Sequence, residues 1–194
     1  MEMLVFGGIV EARDPHGNAT QGALTITVTD VDPTSVSDND GSTNEGAEDA
    51  SAGDPVGVTG SSSEPGGTIT YSLTDSAGGR FQIDSSTGVV PVASAPSIDH
   101  ESSGSHTITI QAENGEGTTA SDSFSIGVTD VAPDQPTDTD AAANQVAEDA
   151  GNGAAVGVTA GASDPGGGTV TYTLTDDAGG RFQVDGGTGD VSVA

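Results

Sequence analysis

An all-β fold of immunoglobulin-like Greek-key sandwiches, strung as tandem repeats, is predicted by three features of this chain. Apolar and polar residues alternate over short stretches, clusters of Gly, Pro, Ser and Asp separate those stretches, and much of the sequence recurs after about 100 residues.

The alternation is clearest in Ile69-Thr-Tyr71-Ser-Leu73, His106-Thr-Ile108-Thr-Ile110 and Phe124-Ser-Ile126-Gly-Val128. Successive side chains of a strand point to opposite faces, so each segment carries one apolar face. Ser63-Glu-Pro-Gly-Gly67 and Ser85-Ser-Thr-Gly88 supply the turn chemistry between strands. No stretch holds a helical period. A sheet with one apolar face must cover it with a second sheet, and about seven short strands per ~100 residues suit a sandwich. Phe81, Tyr71, Phe124 and Ile110 are the expected core.

The repeat is seen by laying Asn44–Ala93 over Asn144–Ala194, with one glycine inserted near Gly168; well over half of the aligned positions are identical. Its centre reads Tyr71-Ser-Leu-Thr-Asp-Ser-Ala-Gly-Gly-Arg80-Phe81-Gln-Ile-Asp84 in one copy. The other reads Tyr172-Thr-Leu-Thr-Asp-Asp-Ala-Gly-Gly-Arg181-Phe182-Gln-Val-Asp185. Leu24-Thr-Ile-Thr-Val-Thr-Asp30-Val31 lies over Phe124-Ser-Ile-Gly-Val-Thr-Asp130-Val131 at the same spacing. Boundaries at Pro33 and Pro133 then give the C-terminal part of one repeat in 1–33, a whole repeat in 34–133 and the N-terminal part of a third in 134–194. A period of about 100 is a domain's length rather than a solenoid's.

Composition narrows the function. Three basic and 30 acidic residues leave a formal charge of −27, which excludes a charge-driven nucleic-acid binder. No apolar run reaches the ~18 to 20 residues a membrane helix needs. The apolar start Met3 to Val10 is short and has no basic residues before it, so it does not read as a secretory signal. With Cys 0, disulfides and thiolate metal sites are ruled out.

With only three arginines, the acids cannot be neutralised by ion pairs. Several fall at predicted strand ends and repeat boundaries: Glu48 and Asp49 entering the first strand, Asp99 and Glu101 in an Asp-His-Glu loop, Asp130 ending the last strand, and Asp134 beyond it. Oxygen donors without a Cys or His cluster select calcium, which takes 6 to 8 oxygens in irregular cages. Ca2+ is the expected cofactor.

The residues Glu48-Asp-Ala and Glu148-Asp-Ala, Asp164-Pro-Gly, Gly-Gly-Arg-Phe-Gln-Ile/Val-Asp, Asp99-His-Glu101 and Val-Thr-Asp-Val resemble the cadherin-like tandem repeats of large bacterial adhesins. The resemblance implies calcium at the junction between repeats. Carried over, Glu48, Asp99, Glu101 and Asp130 from the whole repeat and Asp164 from the next would hold it, with Asp134 standing in for a linker asparagine that is Ala132 here. Glu148 would serve the following junction. Asp30 and Asp32 would serve the preceding one, whose receiving side is poorer because Glu64 and Asn114 stand where the family has aspartates. Asp14 keeps the aspartate form of the latter turn.

Other motifs read as structural. Asp38-Asn-Asp40-Gly41 lacks the rest of an EF-hand loop and reads as a flexible linker turn, and Gly186-Gly-Thr-Gly-Asp190 is a single imperfect glycine-rich motif. The ring of His100 is expected to point away from the ligands on either side, and His106 to begin a strand. Arg80 and Arg181 are expected to contact a nearby acid or carbonyl. Ser105 and His106 face opposite ways on a strand, so no catalytic triad and no enzyme are expected. The implied protein is a calcium-stiffened segment of an extracellular or cell-surface adhesin, associated with homophilic cell adhesion and with a glycan or surface protein as possible partner. The alternative is a calcium-independent immunoglobulin-like module of a polysaccharide-active enzyme, which would need an exposed aromatic stripe. The two incomplete ends are complementary, which predicts head-to-tail self-association.

Overall fold

A computed structural model describes residues 4–65, 67–94 and 98–194. Met3 of the apolar start and Gly66 of the turn at 63–67 lie outside the described residues. Every helix or strand among the described residues is a strand. In order they are β1 (Leu4–Arg13), β2 (Ala19–Val28), β3 (Ser37–Asp38), β4 (Glu45–Ala47), β5 (Pro55–Ser61), β6 (Thr70–Asp75) and β7 (Val89–Pro91). They continue as β8 (Ser105–Glu113), β9 (Thr119–Thr129), β10 (Thr137–Asp138), β11 (Ala155–Gly161), β12 (Phe182–Val184) and β13 (Asp190–Val193). Among the described residues no helix is long and apolar enough to cross a membrane.

The strands form a β1-β2 hairpin, a sheet ordered β3-β5-β7, a sheet ordered β4-β9-β8-β6 and a sheet ordered β10-β11-β13-β12. The chain divides into two compact units. One comprises Met1–Asn44, Ala52–Pro96 and Thr107–Ile126, the other Glu45–Ser51, Ser97–His106 and Gly127–Ala194.

In the first unit, alternation becomes burial. Val56 and Val58 of β5, Val90 of β7, Ile108, Ile110 and Ala112 of β8 and Ile126 of β9 are buried, with Phe81 and Val92 beside them. Each fully buried Val, Ile or Phe contributes roughly 1.5–3 kcal/mol, which lets aliphatic residues form the core of a chain poor in aromatics. The facing strands approach closely: a Cβ on Gly60 would lie 3.1 Å from two methyl carbons of Ile110. Gly57 adopts φ +72°, and a Cβ there would overlap the Thr43 carbonyl oxygen, so the irregular register of β5 between Pro55 and Thr59 requires glycine. Tyr71 and Phe124 are half-buried, and the Tyr71 hydroxyl accepts from the Ser62 N–H at 3.0 Å.

The same unit holds the β1-β2 hairpin, paired from Leu4 opposite Val28 to Arg13 opposite Ala19. Its side chains stay in solvent: Val10 is 55% exposed, whereas Ile110, its counterpart 100 residues on, is fully buried.

In the second unit, β4 runs parallel to β9, with Glu45 opposite Gly127 and Ala47 opposite Thr129. Glu48 therefore follows its strand rather than entering it, and its N–H bonds the Thr129 carbonyl at 3.1 Å. Sequence pattern missed this because a strand of three residues has too few positions to show alternation.

Two smaller readings resolve similarly. Asp38-Asn-Asp40-Gly41 is not a free linker: Asp38 Oδ1 accepts the N–H groups of Asp40 and Thr59, and the Asn39 N–H bonds the Thr59 carbonyl, pinning the turn to β5. Arg80 Nη1 donates to the Ala77 carbonyl, and Arg181 Nη1 to that of Ala178. Both alanines hold positive φ, 53° and 57°, a conformation costly without a Cβ-free residue, so the arginine braces a strained turn.

Candidate metal centre

Parallel pairing makes β4 and β9 leave their sheet at the same end, which brings Glu48 beside the segment after Thr129. Glu48 is 4% exposed. Its Oε1 accepts the Val131 N–H at 2.8 Å and its Oε2 the His100 N–H at 3.1 Å. These fixed donors, the Val131 N–H foremost, hold its pKa below the usual glutamate value.

The loop at 98–104 is anchored by buried Ile98 and closed by Asp99, whose Oδ1 accepts the Ser102 N–H at 2.8 Å and whose carbonyl accepts from Ser103. Closing the loop turns Asp99 and Glu101 toward Glu48: one oxygen from each of the three lies within 4.8 Å of the others. Glu101's own N–H lowers its pKa. Desolvation, the side-chain hydrogen bond with Glu48 and the charges of Glu48 and Asp164 outweigh that and raise it.

Asp164 opens a tight turn of the same unit. Its Oδ1 accepts the N–H groups of Gly166 and Gly168, both at 3.2 Å. This turn rests on the glutamates. A Cβ on Gly166 would overlap Glu48 Oε2 and lie 2.5 Å from Glu101 Oε2; one on Gly168 would lie 3.2 Å from the Asp164 carboxyl carbon and 3.4 Å from that of Glu101. Only a residue without a side chain lets the backbone come so close.

No arginine compensates this negative cluster. Arg13 pairs with Glu11, and the bonding Nη1 atoms of Arg80 and Arg181 are spent on carbonyls of their own turns. Four carboxylates converge where oxygen is the principal donor, the donor chemistry of a hard divalent cation. The residues present fit such an ion.

Other predicted residues fall elsewhere. Asp130 is exposed and joins His100 and Glu101, again with one atom each within 4.8 Å. His100 is a correction: its Nδ1 stands 3.8 Å from Glu101 Oε1, because the residue lies in a turn where strand alternation does not apply. Asp134 is held by Ser163, whose hydroxyl donates to Oδ2 at 2.6 Å and whose carbonyl accepts the Asp134 N–H at 2.8 Å. Glu148 and Asp32 are exposed. Asp14 caps its own hairpin turn, with Oδ1 accepting from His16 and Asn18 and Oδ2 from the Asn18 side chain; that last bond leads in lowering its pKa.

A second cluster lies within the first unit. Asp30, Glu64 and Glu116 each bring an oxygen to within 4.8 Å of the others. Glu64 Oε2 is buried and accepts no hydrogen bond from the described residues. Glu116 was not anticipated; its only signal was its place in the Asn114-Gly-Glu-Gly117 turn.

Residues 39–129 match the family model described as a cadherin domain. Those residues are similar to a cadherin domain, and the all-β chain has the fold of an immunoglobulin-like β-sandwich. The fold is similar to a crystal structure of human CDH23 EC21-23, with 22% identity and TM-score 0.51 over 97% of this chain and 63% of that one. It is also similar to a crystal structure of Drosophila N-cadherin EC1-4, with 22% identity and TM-score 0.50 over 100% of this chain and 49% of that one. The chain thus spans less than two thirds of either structure. No curated protein matches the sequence.

Proposed function

We propose that this chain is a segment of an extracellular adhesion stalk in which calcium, held by carboxylates at the joins between sandwich repeats, stiffens the array. The repeats are taken as 1–33, 34–133 and 134–194. The observation that carries the reading is the seating of the Gly166 turn on Glu48 and Glu101, with Asp164 alongside. Glu48, Asp99, Glu101 and Asp164 would hold the ion, with Asp130 nearby; Ca2+ would supply the charge that turns their mutual repulsion into a cross-link. The chain's own residues do the rest: backbone N–H groups orient Glu48, and Ser102 orients Asp99. Binding to the folded form alone stabilises it by mass action.

The polysaccharide-module alternative finds less support. Among the described residues Phe6 is the one exposed aromatic residue, so no stripe of rings faces solvent there.

Calorimetric titration with calcium tests the proposal. The parent chain is expected to bind in the ~10⁻⁴ to 10⁻³ M range typical of extracellular modules. Asp99→Ala and Glu101→Ala are each expected to weaken binding about tenfold or more, a loss of ~1.4 kcal/mol. A melting curve indifferent to calcium would overturn the reading.

A further inference from the structure

We propose that Asn114 is a metal-independent latch on Asp30 and, by the same bond, the residue that lowers the affinity of the Asp30, Glu64 and Glu116 cluster for a divalent cation. The second half rests on the calcium reading above; the first does not.

Asn114 is 4% exposed, and its orientation is set by its own turn. Its Oδ1 accepts the N–H groups of Glu116 at 3.2 Å and Thr118 at 2.8 Å, and its carbonyl accepts the Gly117 N–H. With the amide oxygen committed to backbone donors, the atom left to face outward is the nitrogen. It stands 3.4 and 3.3 Å from the two carboxylate oxygens of Asp30, and the Thr118 hydroxyl is 3.4 Å from Asp30 Oδ2.

The matching turn 100 residues earlier shows what a carboxylate does in this place. Asp14 Oδ1 takes the same two backbone donors, from His16 at 2.9 Å and Asn18 at 2.8 Å, and leaves Oδ2 as the outward atom, an anionic acceptor that takes the Asn18 side-chain amide at 2.7 Å. Exchanging aspartate for asparagine therefore keeps the turn and changes its outward atom from an anionic acceptor to a neutral donor. A donor bridges to Asp30 directly, where two carboxylates would repel. It also removes one charge from the set that could attract a cation and competes for Asp30's lone pairs. In the Glu48, Asp99 and Glu101 cluster, Asp164 keeps the charge while satisfying the same kind of turn.

The test is amide hydrogen exchange over residues 29–36 in the parent chain, Asn114→Asp and Asn114→Ala, first in chelator and then with calcium. In chelator both variants are expected to exchange about fivefold faster, the effect of losing one amide–carboxylate bond. With calcium, Asn114→Asp is expected to become better protected than the parent, whereas Asn114→Ala stays worse. Unchanged exchange in chelator overturns the latch. An equal calcium response in parent and Asn114→Asp overturns the affinity-setting role. Should calcium alter exchange neither here nor over residues 98–104 in the parent or Asn114→Asp, the calcium reading and the affinity-setting role fail together, while the chelator arm still decides the latch.

Discussion

Glu48 and Glu101 present oxygens to the same point, yet their proton affinities move in opposite directions. Glu48 is stabilised as an anion by the Val131 and His100 N–H groups, while Glu101 carries the cost of standing beside it and Asp164. One acid is held charged by the backbone, and the other bears the repulsion.

The Gly166 turn completes this arrangement by its bareness. Gly166→Ala would drive a methyl into both glutamates and push the turn away. Calcium affinity is expected to fall about tenfold, measured by titration, with the melting temperature in chelator unchanged or raised as the carboxylates separate.

Ile110 and Val10 occupy equivalent places in the repeat but differ in burial. Ile110→Ala is expected to cost ~2–5 kcal/mol by denaturant unfolding, the range for a large-to-small change in a packed core. Val10→Ala is expected to lie within about 0.5 kcal/mol of the parent, as for a surface change. Equal costs would mean that the hairpin is buried in solution.

Asp84 caps the turn before β7, its Oδ1 accepting from Thr87 at 2.8 Å and Ser86 at 2.9 Å; these donors, Thr87 first, lower its pKa below the usual aspartate value of 3.8. A lowered carboxylate pKa means that the unfolded chain takes up protons first on acidification. Its stabilisation is therefore complete well above pH 3.8 and lost as pH falls through the folded value. Asp84→Asn is expected to be less stable than the parent at neutral pH, with the difference closing below pH 3.8 in urea melts taken across that range.

Much of this was legible in the chain itself. Strands β6, β8 and β9 lie where period-two alternation put them, because a half-buried strand must alternate. Phe81 and Ile110 are core, and the acids of the Asp99-His-Glu101 loop do face a common point. Strand β4 was hidden by its brevity, and the ring of His100 was misplaced because strand logic was applied to a turn.

The amino-acid order by itself determined the β class, the repeat near 100 residues and the surplus of carboxylates, since these are local pattern and arithmetic. Which carboxylates meet was decided only in three dimensions. Parallel pairing of β4 with β9 delivers Glu48 and the segment after Thr129 to one end, and the bare backbone of Gly166 lets a distant turn settle on Glu48 and Glu101. Electrostatic coupling depends on separation in space, and the order of residues encodes that separation only through the fold.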